Sequence, residues 1–274
     1  MTSIDWQDLS KHIRTWAKQL GFADIGFANP EMSSHQEYLE EWLENNHHGQ
    51  MAYMARNRHL RGDPAKLHPG TKSIICLRLD YLDHTSQPEN VIASDSSAYI
   101  SRYALGRDYH KVIRGKLKNL VRKIKDYLIE KKYFALNARV FTDSAPILEK
   151  AIAEQAGIGW IGKNTLLLNE EAGSWFFLGE IFTNLPLPPS EKSQTNRCGS
   201  CTACIDVCPT NAFIGPYQLD ARKCISYLTI EHKGKIEEDL RELIGNRIFG
   251  CDDCQLTCPW SRYAPQTNET DFKP

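Results

Sequence analysis

The sequence predicts a mixed α/β (α+β) domain over residues 1–190, followed by a smaller cysteine-rich domain over residues 191–274. Three observations support this division. In the first part, stretches with helical spacing of apolar residues alternate with short strand-like runs. A polar, proline-rich stretch at 185–197 has the composition of a linker. Eight of the nine cysteines then fall between positions 198 and 258, which sets the end of the chain apart.

Two helices are predicted at the start of the first domain, in residues 4–20 and 33–46. In the earlier one, apolar side chains recur every three or four positions, at Ile4, Trp6, Leu9, Ile13, Trp16 and Leu20. Three later runs are strand-like because they are rich in Ile, Val and aromatic residues. They cover residues 72–82, 138–142 and 174–188. Cys76 lies in the first run and is predicted to be a core residue on a strand.

An amphipathic helix is predicted between the first two strands, over residues 107–132. Ile113, Leu117, Leu120, Ile124 and Leu128 form its apolar stripe. Its other face carries many bases and few acids. A charge run is most often a solvated helix face, yet phosphate contacts use the same side chains, so both interpretations stay open. The basic positions are Arg107, Lys111, Arg114, Lys116, Lys118, Arg122, Lys123, Lys125, Lys131 and Lys132.

The composition excludes several classes of protein. With 41% hydrophobic and 24% charged residues, the chain is typical of a globular protein. Its longest apolar runs are too short to span a bilayer, so no membrane association is predicted. No apolar segment near the start precedes a small-residue cleavage site, which predicts a cytoplasmic protein without a secretory signal. The polar end, residues 263–274, is expected to be loosely held.

The first cysteine run indicates an iron–sulfur ligand set. Its cysteines have the spacing C-x2-C-x2-C-x3-C, and Pro209 follows the last of them. In two-cluster ferredoxins the fourth cysteine of such a run binds the other cluster. The run therefore predicts that three cysteines hold one [4Fe–4S] cluster while the fourth serves a second cluster. In order, the four are Cys198, Cys201, Cys204 and Cys208.

A second, shorter run supplies the missing ligands. Cys251, Cys254 and Cys258 have the spacing C-x2-C-x3-C and precede Pro259, and Cys224 is the remaining thiol of this region. The predicted pairing places Cys198, Cys201, Cys204 and Cys258 on cluster one. It places Cys208, Cys224, Cys251 and Cys254 on cluster two. Two zinc sites are the alternative, but structural zinc typically shows C-x2–4-C pairs without a three-loop run ending in Cys-Pro.

Two adjacent clusters form an electron path, so the first domain is expected to hold something that is reduced. Its richest stretch, residues 140–169, places Asp143 where a strand ends and a helix begins, followed by a glycine-rich loop. A carboxyl group in this position is a candidate general acid, although it could simply cap the helix. The G-x-G-x-x-G spelling at 157–162 follows a helix, whereas a dinucleotide motif follows a strand. Asp108 and His110 begin a D-x-H-x-x-G cobalamin motif, but its glycine, Gly115, comes two positions late.

Several segments together resemble the epoxyqueuosine reductase family over almost the whole chain. They are "SRYALGRDYHK", "DSAPILEKAIAEQAGIGWIGKNTL", "AGSWFFLGEIF", "DARKCISYLTIEH", "GNRIFGCDDCQLTCPW" and the first cysteine run. The resemblance implies a nitroreductase-like cobalamin-binding domain followed by a ferredoxin-like domain with two [4Fe–4S] clusters. It implies base-off cobalamin, bound without the histidine motif. The implied reaction reduces epoxyqueuosine in tRNA to queuosine, the last step in making this wobble base.

The resemblance also implies roles for single residues. Asp143 matches the proton donor of the family, and Arg56 matches an arginine that contacts cobalamin. Lys163, Asn164, Ser226 and Asp252 are expected to lie against the corrin ring as well.

The implied partners are the anticodon loop of a tRNA and an external electron donor, and the chain is expected to be a monomer. Many family members continue into a HEAT-like helical region that helps to bind tRNA, whereas this sequence stops at Pro274. The tRNA affinity of this chain is therefore open. Two other functions are considered, a small-molecule reductase similar to reductive dehalogenases and a plain electron-transfer module.

Overall fold

The computed structural model describes residues 4–85, 87–191 and 194–273. Its α-helices in chain order are α1 Trp6–Gln19, α2 Ser33–Glu44, α3 Ala52–Arg56, α4 Arg58–Arg61, α5 Pro64–Leu67, α6 Pro88–Ile92, α7 Tyr109–Glu130, α8 Glu149–Gln155, α9 Ala203–Asp206, α10 Ile225–Ile230, α11 Glu238–Ile244 and α12 Asp253–Leu256. Its strands are β1 Asp24–Ala28, β2 Ser73–Asp80, β3 Tyr99–Ile100, β4 Ala138–Phe141, β5 Trp160–Ile161, β6 Leu167–Leu168, β7 Phe176–Thr183, β8 Phe213–Gly215, β9 Gln218–Leu219 and β10 Arg247–Phe249. Short 3₁₀ helices cover Arg102–Ala104, Ala221–Lys223, Pro259–Tyr263 and Thr270–Phe272.

A four-stranded antiparallel sheet in the order β1-β2-β7-β4 forms the centre of the molecule. The three predicted strands correspond to β2, β4 and β7, and the predicted amphipathic helix corresponds to α7. Strands β2 and β7 lie in the middle of the sheet, where both faces are covered, and their side chains are buried almost throughout. This is why both strands are continuous apolar runs in the sequence.

Each face of the sheet packs against helices. On one face, Ile75 and Leu77 of β2 contact the apolar stripes of α1 and α7, which include Ile13 and Leu117. On the other face, Cys76 belongs to a second cluster that contains Ile152 of α8. Cys76 is fully buried on its strand. None of the described helices is long and apolar enough to cross a membrane.

The cysteine-rich part lies directly against the first domain. Strand β10 pairs in parallel with β3, and Gly250, with a φ of +72°, follows β10. A Cβ atom at Gly250 would lie 2.5 Å from the Cβ atom of Ser101, so the two backbones approach more closely than a side chain allows.

The expectation that the end of the chain is loosely held is wrong for its described residues. Ala264 and Phe272 are buried in the core cluster around α1 and α7. The Thr267 N–H donates to the Leu82 carbonyl oxygen at 2.7 Å. The end of the chain is therefore held by buried apolar side chains and by a backbone hydrogen bond.

Candidate active site and cluster ligands

The four cysteines predicted for cluster one surround a single cavity of about 190 Å³. Burial, together with the neighbouring thiols of Cys258 and Cys198, raises the pKa of Cys204 to about 11. Within the described part of the chain, no group of three or more His, Cys, Asp or Glu side chains is gathered tightly enough to hold one metal ion. The thiols are instead arranged around a space, which suits a multi-iron cluster. The cysteines are Cys198, Cys201, Cys204 and Cys258.

The predicted ligands of cluster two also lie near one another. Burial and then the thiols of Cys251 and Cys224 raise the pKa of Cys254. Burial also raises the pKa of Cys224, which has Cys208 beside it. Cys208 thus lies with the second group, although it belongs to the first run in sequence. Cys254 is also close enough to Cys204 for their charges to interact, so the two groups are neighbours.

Lys163 and Asn164 lie at the first cysteine group. The ammonium group of Lys163 donates to the carbonyl oxygens of Gly199 and Cys201, at 2.7 and 2.9 Å, and so holds the first cysteine loop. Asn164 is buried, and both residues line the cavity described above.

Asp143 lies two residues after the end of β4, with a φ of +57°. This left-handed conformation is uncommon for residues other than glycine, although Asp tolerates it better than most. Its carboxylate is 57% exposed, and its Oδ2 lies 2.9 Å from Nε2 of His110. Nδ1 of the same ring lies 3.0 Å from Oδ1 of Asp108, the N-cap residue of α7. The imidazole ring of His110 therefore lies between the carboxylates of Asp143 and Asp108.

A pair of carboxyl groups lies behind this loop, from the half-buried Glu149 and the fully buried Glu180. The Asp143 N–H donates to Oε1 of Glu149, and Glu149 is hydrogen-bonded to Glu180 on β7. Glu180 is fully buried, and the Cys76 thiol donates to it at 3.9 Å. Burial raises the pKa of Glu149 to about 7 and that of Glu180 well above its ordinary value. Because two adjacent carboxylates repel each other, this pair favours sharing a proton over being doubly ionised.

Aromatic residues form a wall near Asp143. Burial, followed by the nearby Asp143 carboxylate, raises the pKa of Tyr103 to about 12 and also raises that of Tyr109. Burial and then Glu231 raise the pKa of Tyr53 to about 12, with Asp143 again contributing. The Tyr53 hydroxyl donates to Glu231 at 3.1 Å, which joins α3 to the cysteine-rich part. We use "the tyrosine wall" for Tyr53, Tyr103 and Tyr109.

Asp252 connects the second cysteine group to the segment before the tyrosine wall. It directly follows Cys251, and its carboxylate is fully buried. It accepts hydrogen bonds from the Tyr99 hydroxyl at 2.7 Å, the Ser101 hydroxyl at 2.5 Å and the Arg102 N–H at 2.8 Å. Burial raises its pKa, and these donors oppose the rise. Ser226 is half-buried in the first turn of α10, and Arg56 is exposed at the end of α3.

The comparisons with known proteins agree with this arrangement. Residues 61–144 match the family model of epoxyqueuosine reductase QueG (DUF1730), and residues 197–261 match that of a 4Fe-4S double cluster binding domain. The epoxyqueuosine reductase of Pseudomonas aeruginosa is 53% identical over 266 residues, a match that covers 97% of this chain and 72% of that protein. This chain belongs to the epoxyqueuosine reductase family.

Solved structures of epoxyqueuosine reductases confirm the predicted fold class. One holds a tRNA-Tyr epoxyqueuosine-modified stem loop, and it is 32% identical with a TM-score of 0.87, covering 98% of this chain and 70% of that one. Another, from Bacillus subtilis, has its catalytic aspartate loop swung out of the active site. It is 30% identical with a TM-score of 0.85, and the match covers 98% of this chain and 70% of that one. A reductive dehalogenase, NpRdhA, shares the fold at 14% identity and a TM-score of 0.57, covering 95% of this chain and 33% of that one.

The predictions of two [4Fe–4S] clusters and of an oxidoreductase are confirmed at the level of the family. Sequence reasoning missed the Asp143–His110 contact and the Glu149–Glu180 pair. One feature of the sequence pointed to His110, because Asp108 and His110 lie two residues apart at the start of the predicted helix. No feature of the sequence pointed to the role of Glu180, because it is a single acid inside a continuous apolar strand.

Proposed function

We propose that this chain reduces the epoxide of epoxyqueuosine in a tRNA to queuosine and that Asp143 protonates the departing oxygen. Removing the epoxide oxygen as water consumes two electrons and two protons, so a proton donor is needed beside the substrate. The single observation that carries this role is the exposed Asp143 carboxylate, which faces the tyrosine wall while its loop is fixed from behind. A general acid held in this way typically contributes on the order of 10²- to 10⁴-fold in rate.

His110 supports this role because it can return the proton. Its two ring nitrogens contact Asp143 and Asp108, so a proton that the ring takes up from solvent can pass to the Asp143 carboxylate. Tyr109 stacks on the His110 ring, with centroids 4.0 Å apart, and limits its rotation.

The residues around Asp143 fit a cobalamin. Tyr53, Phe249 and Ile248 expose apolar surface, and Tyr103 packs near Phe249 at 6.3 Å between centroids. A flat macrocycle would pack against such a wall, and a macrocycle bound there would lie near Asp252, which directly follows Cys251 of the second cysteine group. A bound cobalamin supplies a two-electron cobalt centre, and the two clusters supply electrons singly from an external donor. Arg56, at the end of the helix that carries Tyr53, and Ser226 are proposed contacts of the cofactor.

The tRNA is proposed to contact the exposed basic face of α7. Arg107, Lys111, Arg114, Lys118, Arg122 and Lys125 follow one another at three- and four-residue intervals and are exposed. This basic stripe begins beside the active site, because His110 contacts Asp143 and the Arg114 guanidinium donates to the Ser144 hydroxyl. Phosphates on either side of a bound anticodon loop would meet these charges. A monomeric state and the identity of the electron donor stay predictions.

The test is anaerobic turnover of epoxyqueuosine-containing tRNA by Asp143→Asn, followed by nucleoside mass analysis. We expect a loss on the order of 10²- to 10⁴-fold with iron content, corrin absorbance and tRNA binding as in the wild type. Wild-type turnover by Asp143→Asn would remove Asp143 from the donor role. Absence of corrin absorbance from protein made in cobalamin-supplied cells would remove the cofactor assignment.

A further inference from the structure

The Asp143 loop adopts a conformation that needs support. A φ of +57° at a residue with a side chain is strained, and such strain persists only where the surroundings compensate for it. Two backbone hydrogen bonds, from Ser144 to the Thr142 oxygen and from Ile147 to the Ala145 oxygen, tighten the turn. The bond that reaches Asp143 itself comes from outside the turn, because the Asp143 N–H donates to Glu149 Oε1.

Glu149 is in turn fixed by its own surroundings. It is the first residue of α8 and bonds to Glu180, which lies opposite Cys76 in the register of β2 and β7. Two adjacent buried carboxylates repel strongly, so a neutral Glu180 that donates its proton to Glu149 is the stable arrangement. Glu180 thereby orients the Glu149 oxygen that accepts the Asp143 N–H.

Other charged groups also face this pair. His110, Tyr109, Arg61, Lys150 and Asp143 itself all interact with Glu149 through charge. Of these, only Asp143 hydrogen-bonds to Glu149 among the contacts of the described residues. The carboxylate of Glu149 is therefore placed between a fixed acid in the sheet and the backbone of the proposed proton donor.

We propose that Glu149, supported by Glu180, is a positioning residue that keeps the Asp143 carboxylate turned toward the tyrosine wall. This inference rests on the proposed role of Asp143 and names the side chains that hold its loop in place. Without the Glu149 oxygen, the left-handed turn loses its external hydrogen bond and the loop can leave the site. A displacement of about 1 Å at a reacting group costs on the order of 10²-fold in rate.

The test compares variants of Glu149 in the full chain with its clusters and cobalamin. Glu149→Ala should lower turnover on the order of 10- to 100-fold, with tRNA affinity unchanged and faster amide exchange in residues 142–146. Glu149→Gln should restore turnover to within about threefold, since its amide oxygen can accept the same N–H. Glu149→Asp keeps a carboxyl group but retracts it from the Asp143 N–H by one methylene, so it should also lower turnover and speed exchange in residues 142–146. It provides the same test if Glu149→Ala does not fold.

Glu154 provides a matched control on the same helix. Its Oε1 also accepts a backbone N–H, that of Ile161 at 2.7 Å, but this bond holds β5. Glu154→Ala should lower stability without changing turnover or exchange at residues 142–146. Equal loss of turnover in Glu154→Ala and Glu149→Ala would show general destabilisation and overturn the proposal. Full activity of Glu149→Asp would overturn it too, whereas the proton-donor role itself is judged separately by Asp143→Asn.

Discussion

Nε2 of His110 lies 2.9 Å from Oδ2 of Asp143, so the proposed proton donor is in direct contact with a titratable ring. His110 stands in the first turn of α7, and Asp143 follows β4. A donor that gives up its proton in each turnover needs a group that returns it, and His110 is placed for this role.

His110→Ala is therefore expected to lower turnover by about 10- to 100-fold, because reprotonation of Asp143 then depends on water alone. The rate should be measured anaerobically on epoxyqueuosine-containing tRNA, with binding of that tRNA as the second measurement. Added imidazole should recover part of the rate in His110→Ala but not in Asp143→Asn. Unchanged turnover in His110→Ala would limit the ring to a structural contact.

Stability should depend on pH through Glu180. Burial raises its pKa well above the ordinary value of 4.5, so the folded chain keeps a proton that the unfolded chain releases above about pH 4.5. The folded state then binds more protons than the unfolded state, and the free energy of unfolding falls as pH rises, by up to about 1.4 kcal/mol per pH unit. Glu180→Gln removes this contribution while keeping a donor to Glu149. Urea unfolding at pH 6 and pH 8 should therefore show a smaller loss of stability in Glu180→Gln than in the wild type, and parallel losses would contradict the assignment.

The sequence predicts the cluster ligands better than the active site, and the reason is physical. Three ligands predicted for the first cysteine group come from a tight loop, so their spacing is local. The one distant ligand, Cys258, is predicted because eight thiols complete two sets of four. Asp143 and His110 are 33 residues apart and meet only because β4 and α7 pack together. Glu180 meets Cys76 through the pairing of β2 and β7. Such contacts depend on register and topology, which apolar periodicity alone does not specify.

Asp252 should stabilise the contact between the cysteine-rich part and the first domain. Its carboxylate accepts three hydrogen bonds from residues 99–102, so Asp252→Ala leaves buried donors without partners. We expect a loss of about 3 kcal/mol in the free energy of unfolding. Asp220 is the control, since it is also buried but bonds to Arg222, two residues away. Asp220→Ala should cost less and leave the contact intact. Equal losses in the two variants would show that Asp252 has no special role in joining the two parts.

The basic stripe on α7 should contribute to tRNA binding through phosphate contacts. Lys118→Gln with Arg122→Gln is expected to weaken binding for all sequences and to lower the slope of log affinity against log salt by about 0.7 per lost contact. Lys131→Gln with Lys132→Gln removes the same charge just beyond the far end of α7, roughly 20 Å away at 1.5 Å per residue. Binding of an epoxyqueuosine stem loop at several salt concentrations compares the two pairs. Equal slopes for both pairs would indicate that the stripe is only a solvated face.

The ligand pairing of the clusters can be tested through one cysteine from each run. Cys208 belongs to the first run but lies beside Cys224, whereas Cys258 belongs to the second run but lines the cavity of the first group. Cys208→Ser should therefore perturb the same cluster as Cys224→Ser, and Cys258→Ser the same cluster as Cys204→Ser. We expect iron to fall from about eight to about four atoms per chain in a variant that loses one cluster. The paramagnetic resonance spectrum of the remaining cluster should match within each pair and differ between pairs. If Cys208→Ser instead gave the spectrum of Cys204→Ser, each run would hold its own cluster, and the crossed arrangement that brings the two groups side by side would be wrong.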